Sequence, residues 1–129
     1  MPGKGSSRRP EQVAESIRAT VAEALLRGDV RDPRVGLVTI SMVEVTRDLG
    51  HATLRVVPHG TAEEKEAAVV GLQSAAGYLR RMVAQTLSTR IVPELHFVLD
   101  RGFEYAQQIN KLLNEIKDEG ESKSEDGTP

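Results

Sequence analysis

The chain has 129 residues, 39% hydrophobic, 28% charged and 3% aromatic, enough for one domain with a modest core. It has neither Cys nor Trp, which excludes a disulfide scaffold, a thiolate-held zinc or iron–sulfur site and a thiol nucleophile. A formal net charge of −2 argues on its face against a polyanionic partner, and no apolar run approaches the roughly 18 residues that span a bilayer.

The opening MPGKGSSRRP is rich in Gly, Ser and Pro, so residues 1–9 read as a flexible basic arm with no secretory signal. From Pro10, the residues Val13, Ile17, Val21, Ala24 and Leu25 recur at helical spacing, and Gly28 is placed to end the helix. DVRDPRV then turns the chain, because a residue before Pro avoids helical dihedrals. Two β-rich runs, VGLVTISMVEVT and HATLRVV, flank a loop at Asp48–Gly50 and predict a hairpin. Strict alternation places Val38, Ile40 and Met42 on one face with Leu54 and Val56, and Thr39, Ser41, Thr53 and Arg55 on the other. A sheet apolar on one side only calls for helices on that side, an α+β layer.

Thr61 can cap a helix through AEEKEAAVVGLQ, whose acids sit where the helix dipole favours them. Leu79, Met82, Val83 and Leu87 continue the helical pattern, with a break expected around residues 74–77 because Gly71 and Gly77 weaken one long helix. IVPELHFVLD alternates Leu95, Phe97 and Leu99 inward against Glu94, His96 and Val98, a third strand. Ile109, Leu112, Leu113 and Ile116 predict a short last helix ending near Lys117, and the acidic residues 118–129 read as a disordered tail. The expected domain is therefore residues 10–117.

Charge is segregated along the chain. Residues 118–129 carry five of the 19 acids and one of the 17 bases, which leaves the rest at +2, 16 bases against 14 acids. No acid precedes Glu11, where Lys4, Arg8 and Arg9 lie, and none falls between Glu66 and Glu94, where Arg80, Arg81 and Arg90 lie. Guanidinium forks match phosphate oxygens, so both stretches are candidate phosphate-facing segments.

Catalytic candidates are poor. His51, His59 and His96 show no ligand spacing, so they read as ordinary surface or strand histidines and no metal or cofactor is expected. Glu63, Glu64 and Glu66 are explained by a first helical turn. There is no nucleophile elbow and no P-loop. With four aromatics, Tyr78, Phe97, Phe103 and Tyr105, no paired platform for base stacking is expected.

The order α-β-β-α-kink-α-β resembles a type II KH domain, with SAAG at 74–77 where that fold carries its G-x-x-G loop. Together with RDPR (31–34), VTISMVEVTRDL (38–49), LQSAAGYLRR (72–81) and RIVPELHFVLD (90–100), the chain resembles the ribosome-binding factor A family over about residues 8–117. The resemblance implies an α+β KH-like domain, a three-stranded sheet packed on helices plus a short C-terminal helix. It maps the family's Ala-x-Gly kink onto Ala75, Ala76 and Gly77. It implies a non-enzymatic, monomeric cytoplasmic factor with no membrane role that binds free or immature 30S subunits. There it would assist late 16S rRNA maturation near the 5′-terminal helix and growth in the cold, with an assembly GTPase as an admissible further partner. Expected rRNA-binding residues are Arg8, Arg9, Arg34, Arg80, Arg81 and Arg90. The alternative is a protein–protein adaptor docking a partner through an exposed sheet face carrying Val43, Val45 and Val57.

Overall fold

A computed structural model describes residues 9–127. Four helices and three strands occur in the order α1 (Pro10–Arg27), β1 (Val38–Val45), β2 (His51–Pro58), α2 (Ala62–Ser74), α3 (Ala76–Thr86), β3 (Glu94–Leu99) and α4 (Arg101–Gly127). The chain forms two compact units, one ending at Leu99 and the other beginning at Asp100. No helix among the described residues is long and apolar enough to cross a membrane. The basic arm, except for Arg9, lies outside the described residues.

α1 starts where the sequence places it. The Arg9 backbone N–H donates to Gln12 Oε1 at 3.2 Å, and Pro10 opens the first turn, where a missing N–H costs nothing. Gly28 takes φ 77°, and the Gly28 and Asp29 N–H groups close onto the Leu25 and Ala24 carbonyls, satisfying acceptors that the helix end would orphan. Val13, Ile17, Val21 and Ala24 are fully buried. α2 opens on a reciprocal cap: Glu64 N–H donates to Thr61 Oγ1 at 3.2 Å, and Thr61 N–H donates to Glu64 Oε1 at 2.8 Å.

The sheet order is β1-β2-β3, with β1 antiparallel and β3 parallel to β2. α1 packs on β1 and α3, α2 on β2 and β3, and α3 on β3, so these three helices form a single layer on one sheet face. Leu54, Val56, Leu72, Leu79, Val83, Leu95 and Phe97 meet the α1 stripe in one core. This is the α+β, KH-like arrangement that the element order implies.

The hairpin corrects one expectation. Its register slips between Ile40 and Met42, a β-bulge at Ser41, whose Oγ donates to the Arg55 carbonyl at 3.3 Å. One extra residue reverses the alternation beyond it. Met42 is therefore exposed rather than inward, and Val43 and Val45 pack against the core instead of the open face. That removes two of the three apolar residues an adaptor surface was to use, and the open face presents Thr39, Ser41, Glu44, Thr53 and Arg55 instead.

The hairpin tip is held by Asp48 Oδ1, which accepts from Thr46 Oγ1 at 2.7 Å and Gly50 N–H at 3.0 Å. Leu49 takes the left-handed conformation there, φ 62°, while its side chain is buried.

α4 is a long helix rather than a short one. It runs past Lys117 to Gly127, whereas composition alone implies disorder for 118–129. Extending an existing helix avoids the unfavourable nucleation step, so an acidic continuation with little apolar content can still be helical. Ile109, Leu112, Leu113 and Ile116, the residues whose spacing predicts this helix, are exposed.

Candidate functional site

The α2–α3 junction is the structural centre of the acid-free stretch. α2 ends at Ser74, Ala75 leaves helical geometry at φ −88°, ψ 0°, and α3 resumes at Ala76. The Ala75 N–H still reaches the Gly71 and Leu72 carbonyls, and Ser74 Oγ donates back to the Val70 carbonyl at 3.0 Å. The break is thus a tight kink with its polar groups bonded. Ala75, Ala76 and Gly77 lie at this break, and a methyl group added at Gly77 would meet nothing within 4 Å.

Two grooves flank this kink. One is lined by Asp29, Val30, Arg31, Asp32, Gly71, Ser74, Ala75 and Tyr78. The other is lined by Gln73, Ala76, Gly77, Arg80, Glu94, Leu95 and His96. Gln73 ties the kink to the outer edge of β3. Its Nε2 donates to the Leu95 carbonyl at 3.0 Å, and its Oε1 accepts from the Phe97 N–H at 2.9 Å. A side-chain amide here substitutes for a neighbouring strand and closes that edge to pairing.

The expected arginines separate into three groups. Arg8 lies outside the described residues, and Arg9 is exposed at the start of α1. Arg34 is engaged: its Nε and Nη2 donate to Asp32 Oδ1 and Oδ2 at 2.9 and 2.6 Å, and its backbone N–H adds a third bond at 2.9 Å. These bonds, the side-chain pair first, hold the Asp32 carboxyl down at about 2. Arg80 is also engaged, its Nε and Nη2 donating to the Val92 carbonyl at 3.2 and 2.7 Å and fixing α3 to the approach to β3. Arg81 and Arg90 are exposed, and neither has an acidic partner among the described residues.

Arg31 is the residue that sequence reasoning passes over. It lines the groove beside Ser74, Ala75 and Tyr78, is exposed, and has no acidic partner among the described residues. The signal is present in RDPR, which holds two arginines. Which of them Asp32 captures is decided by the turn that Pro33 makes.

The turn also explains Gly71. A Cβ there would come within 3.0 Å of Val35 Cγ2 and 3.2 Å of Asp32 Cγ, so the missing side chain lets the Asp32–Arg34 turn lie directly on α2. Tyr78 is the one aromatic at the kink, and Phe97 is buried in the core. Among the described residues, nothing at the kink forms a stacking pair.

Comparison with known proteins agrees with this geometry. A family model described as ribosome-binding factor A matches residues 9–113. The ribosome-binding factor A of Thermomicrobium roseum is 46% identical over 113 residues, 88% of this chain and 87% of that protein. The crystal structure of ribosome-binding factor A from Thermus thermophilus superposes with a TM-score of 0.62 at 22% identity, over 73% of this chain and 99% of that one. A second set of Thermus thermophilus coordinates, a homology model fitted into an electron-microscopy map of a 30S complex, gives a TM-score of 0.50 at 25% identity, over 67% and 93%. With the family's pattern matched from the start of α1 into α4, the chain belongs to the ribosome-binding factor A family.

Proposed function

We propose that this protein binds free or immature 30S ribosomal subunits and assists late maturation of 16S rRNA near its 5′-terminal helix. It does so as a monomer in the cytoplasm, through phosphate and shape contacts and without covalent chemistry. The observation that carries the reading is a set of exposed guanidinium groups, Arg31 in the groove beside the helix kink and Arg81 and Arg90 farther along the acid-free stretch, none with an acidic partner among the described residues. Family membership supports it, as does the seating of a Thermus thermophilus relative in a 30S complex. A kink closed by hydrogen bonds in place of an open Gly-rich loop favours folded rRNA over a single strand clamped base by base. In this reading the arm 1–9 adds charge, residues 10–117 bind, and the acidic 118–129 keep the chain soluble.

Co-sedimentation with purified 30S subunits across a salt series tests the proposal. Affinity should fall with salt by about 0.7–0.9 log unit per log unit for each phosphate neutralised. Arg81→Glu with Arg90→Glu should weaken binding and flatten the slope. Binding that is insensitive to both salt and these changes would overturn it. An assembly GTPase that releases the factor would lower the bound fraction only with its nucleotide present.

A further inference from the structure

His51, Glu94 and His96 come together on the open face of the sheet. His51 and Glu94 are direct partners in the parallel β2–β3 register, and His96, two residues on, projects from the same face as Glu94. The cluster is held from below, because the Glu94 N–H donates to the Gly50 carbonyl at 2.9 Å and so locks the start of β3 to the residue before His51. Three heteroatoms form a triangle. His51 Nδ1 to His96 Nε2 is 3.0 Å, His51 Nδ1 to Glu94 Oε2 is 3.6 Å, and His96 Nε2 to Glu94 Oε2 is 3.8 Å.

A tetrahedral ion with bonds of about 2.0–2.1 Å holds its donors roughly 3.3–3.4 Å apart, and these sides bracket that value. The point equidistant from the three atoms lies about 2.0 Å from each, the length of such bonds, but in their plane, so tetrahedral geometry follows once the two longer sides close by a few tenths of an ångström and the ion rises out of that plane. Two imidazoles and one carboxylate suit a borderline first-row ion and not a hard cation such as Mg²⁺, which prefers oxygen ligands. We infer that His51, Glu94 and His96 form a binding site for a divalent transition-metal ion of the zinc class, with a coordination position open to water or to a donor from a partner.

Glu94 and His96 also line the groove that holds Gly77 and Arg80, so a bound ion would place positive charge at the β3 side of the kink. The inference is independent of the rRNA reading, because it concerns the metal alone.

The protein has three histidines, which makes the test compact. The full chain, freed of metal with a chelator, is titrated with zinc(II) against a competing indicator, and the histidine Cε1–H resonances are followed by NMR. One equivalent should bind in the micromolar range and move the His51 and His96 signals while leaving His59 in place. His51→Ala or His96→Ala should weaken binding at least tenfold, and His59→Ala should leave it unchanged. The cluster is exposed, so these variants should keep the wild-type melting temperature in chelator, which separates loss of ligand from loss of fold. No zinc binding, equal movement of all three signals, or affinity unchanged in both cluster variants would show a hydrogen-bonded histidine pair only. Mg²⁺ binding as tight as zinc would likewise overturn the assignment.

Discussion

Asp32 decides what two arginines can do. Its two oxygens take the Arg34 fork, so Arg34 joins the turn to itself, while Arg31 is left at the groove beside the kink. The two positions should therefore respond differently to truncation. Arg31→Ala should leave the melting temperature near wild type and weaken 30S association, with the salt slope reduced by about one unit. Arg34→Ala should lower the melting temperature with little change in slope.

Asp32 also links stability to pH. Its carboxyl titrates near 3.8 in an unfolded chain and is held down at about 2 in the fold, so the folded state prefers the ionised form. The stabilisation is fully present above pH 3.8 and is lost as pH falls through about 2. Asp48, held down first by the Thr46 hydroxyl and then by the Gly50 N–H, acts in the same direction, as does Glu64 through its bonds with Thr61. Asp32→Asn should lower the melting temperature at neutral pH and narrow its difference from wild type on acidification, which thermal unfolding at a series of pH values measures.

Among the elements, the α2–kink–α3 segment contains two glycines with opposite roles. A glycine in a helix interior, as Gly71 is in α2, costs about 0.5–1 kcal/mol relative to Ala, and Gly77, the second residue of α3, costs at most that. At Gly77 nothing offsets that cost, because an added Cβ meets open space. Gly77→Ala should raise stability by up to about 1 kcal/mol. If the kink faces rRNA, the same methyl group stands where the ligand approaches, and 30S affinity should fall as the melting temperature rises. At Gly71 the added Cβ would press on Val35 and Asp32, so Gly71→Ala should destabilise despite the helix preference for Ala. Denaturant unfolding of the two variants side by side would show opposite signs, and equal signs would refute the close-approach account of Gly71.

The break itself was legible in the sequence, since Gly71 and Gly77 both disfavour one continuous helix there. The hairpin was legible only in part. Two β-rich runs around Asp48–Gly50 announce a pair of strands, but composition carries no mark of a bulge at Ser41. That single residue moves Met42 outward and Val43 and Val45 inward, because alternation has a period of two and any insertion inverts the remainder of the strand.

In the whole molecule, net charge was the least informative quantity. The value of −2 averages a strongly acidic 118–129 against stretches with no acid, and a polyanion responds to local charge over about 10 Å rather than to the total. The core, by contrast, belongs to the unit ending at Leu99, where α1, the sheet and the α2–α3 pair meet. Ile17 is fully buried within it, so Ile17→Ala should cost about 2–5 kcal/mol, a large fraction of the stability of a domain this size. In the unit that begins at Asp100, the apolar spacing of α4 correctly announces a helix. Spacing alone does not say whether a face is covered, and Leu112, Leu113 and Ile116 stay exposed.

Local order came from local sequence. The ends of α1, the cap at Thr61, the kink at Ala75 and the inward alternation of β3 each depend on residues within a turn or two of one another, where backbone preference and side-chain spacing act directly. The family resemblance was legible for a related reason, as a collinear series of such segments. Tertiary structure alone decided the bulge, the choice of Asp32 between Arg31 and Arg34, the closing of the β3 edge by Gln73, and the meeting of His51 with His96 across 45 positions. No spacing rule connects those two histidines. They meet because β3 returns parallel to β2 in one register, and that register is set by the packing of Leu95 and Phe97 into a core to which every element before Asp100 contributes.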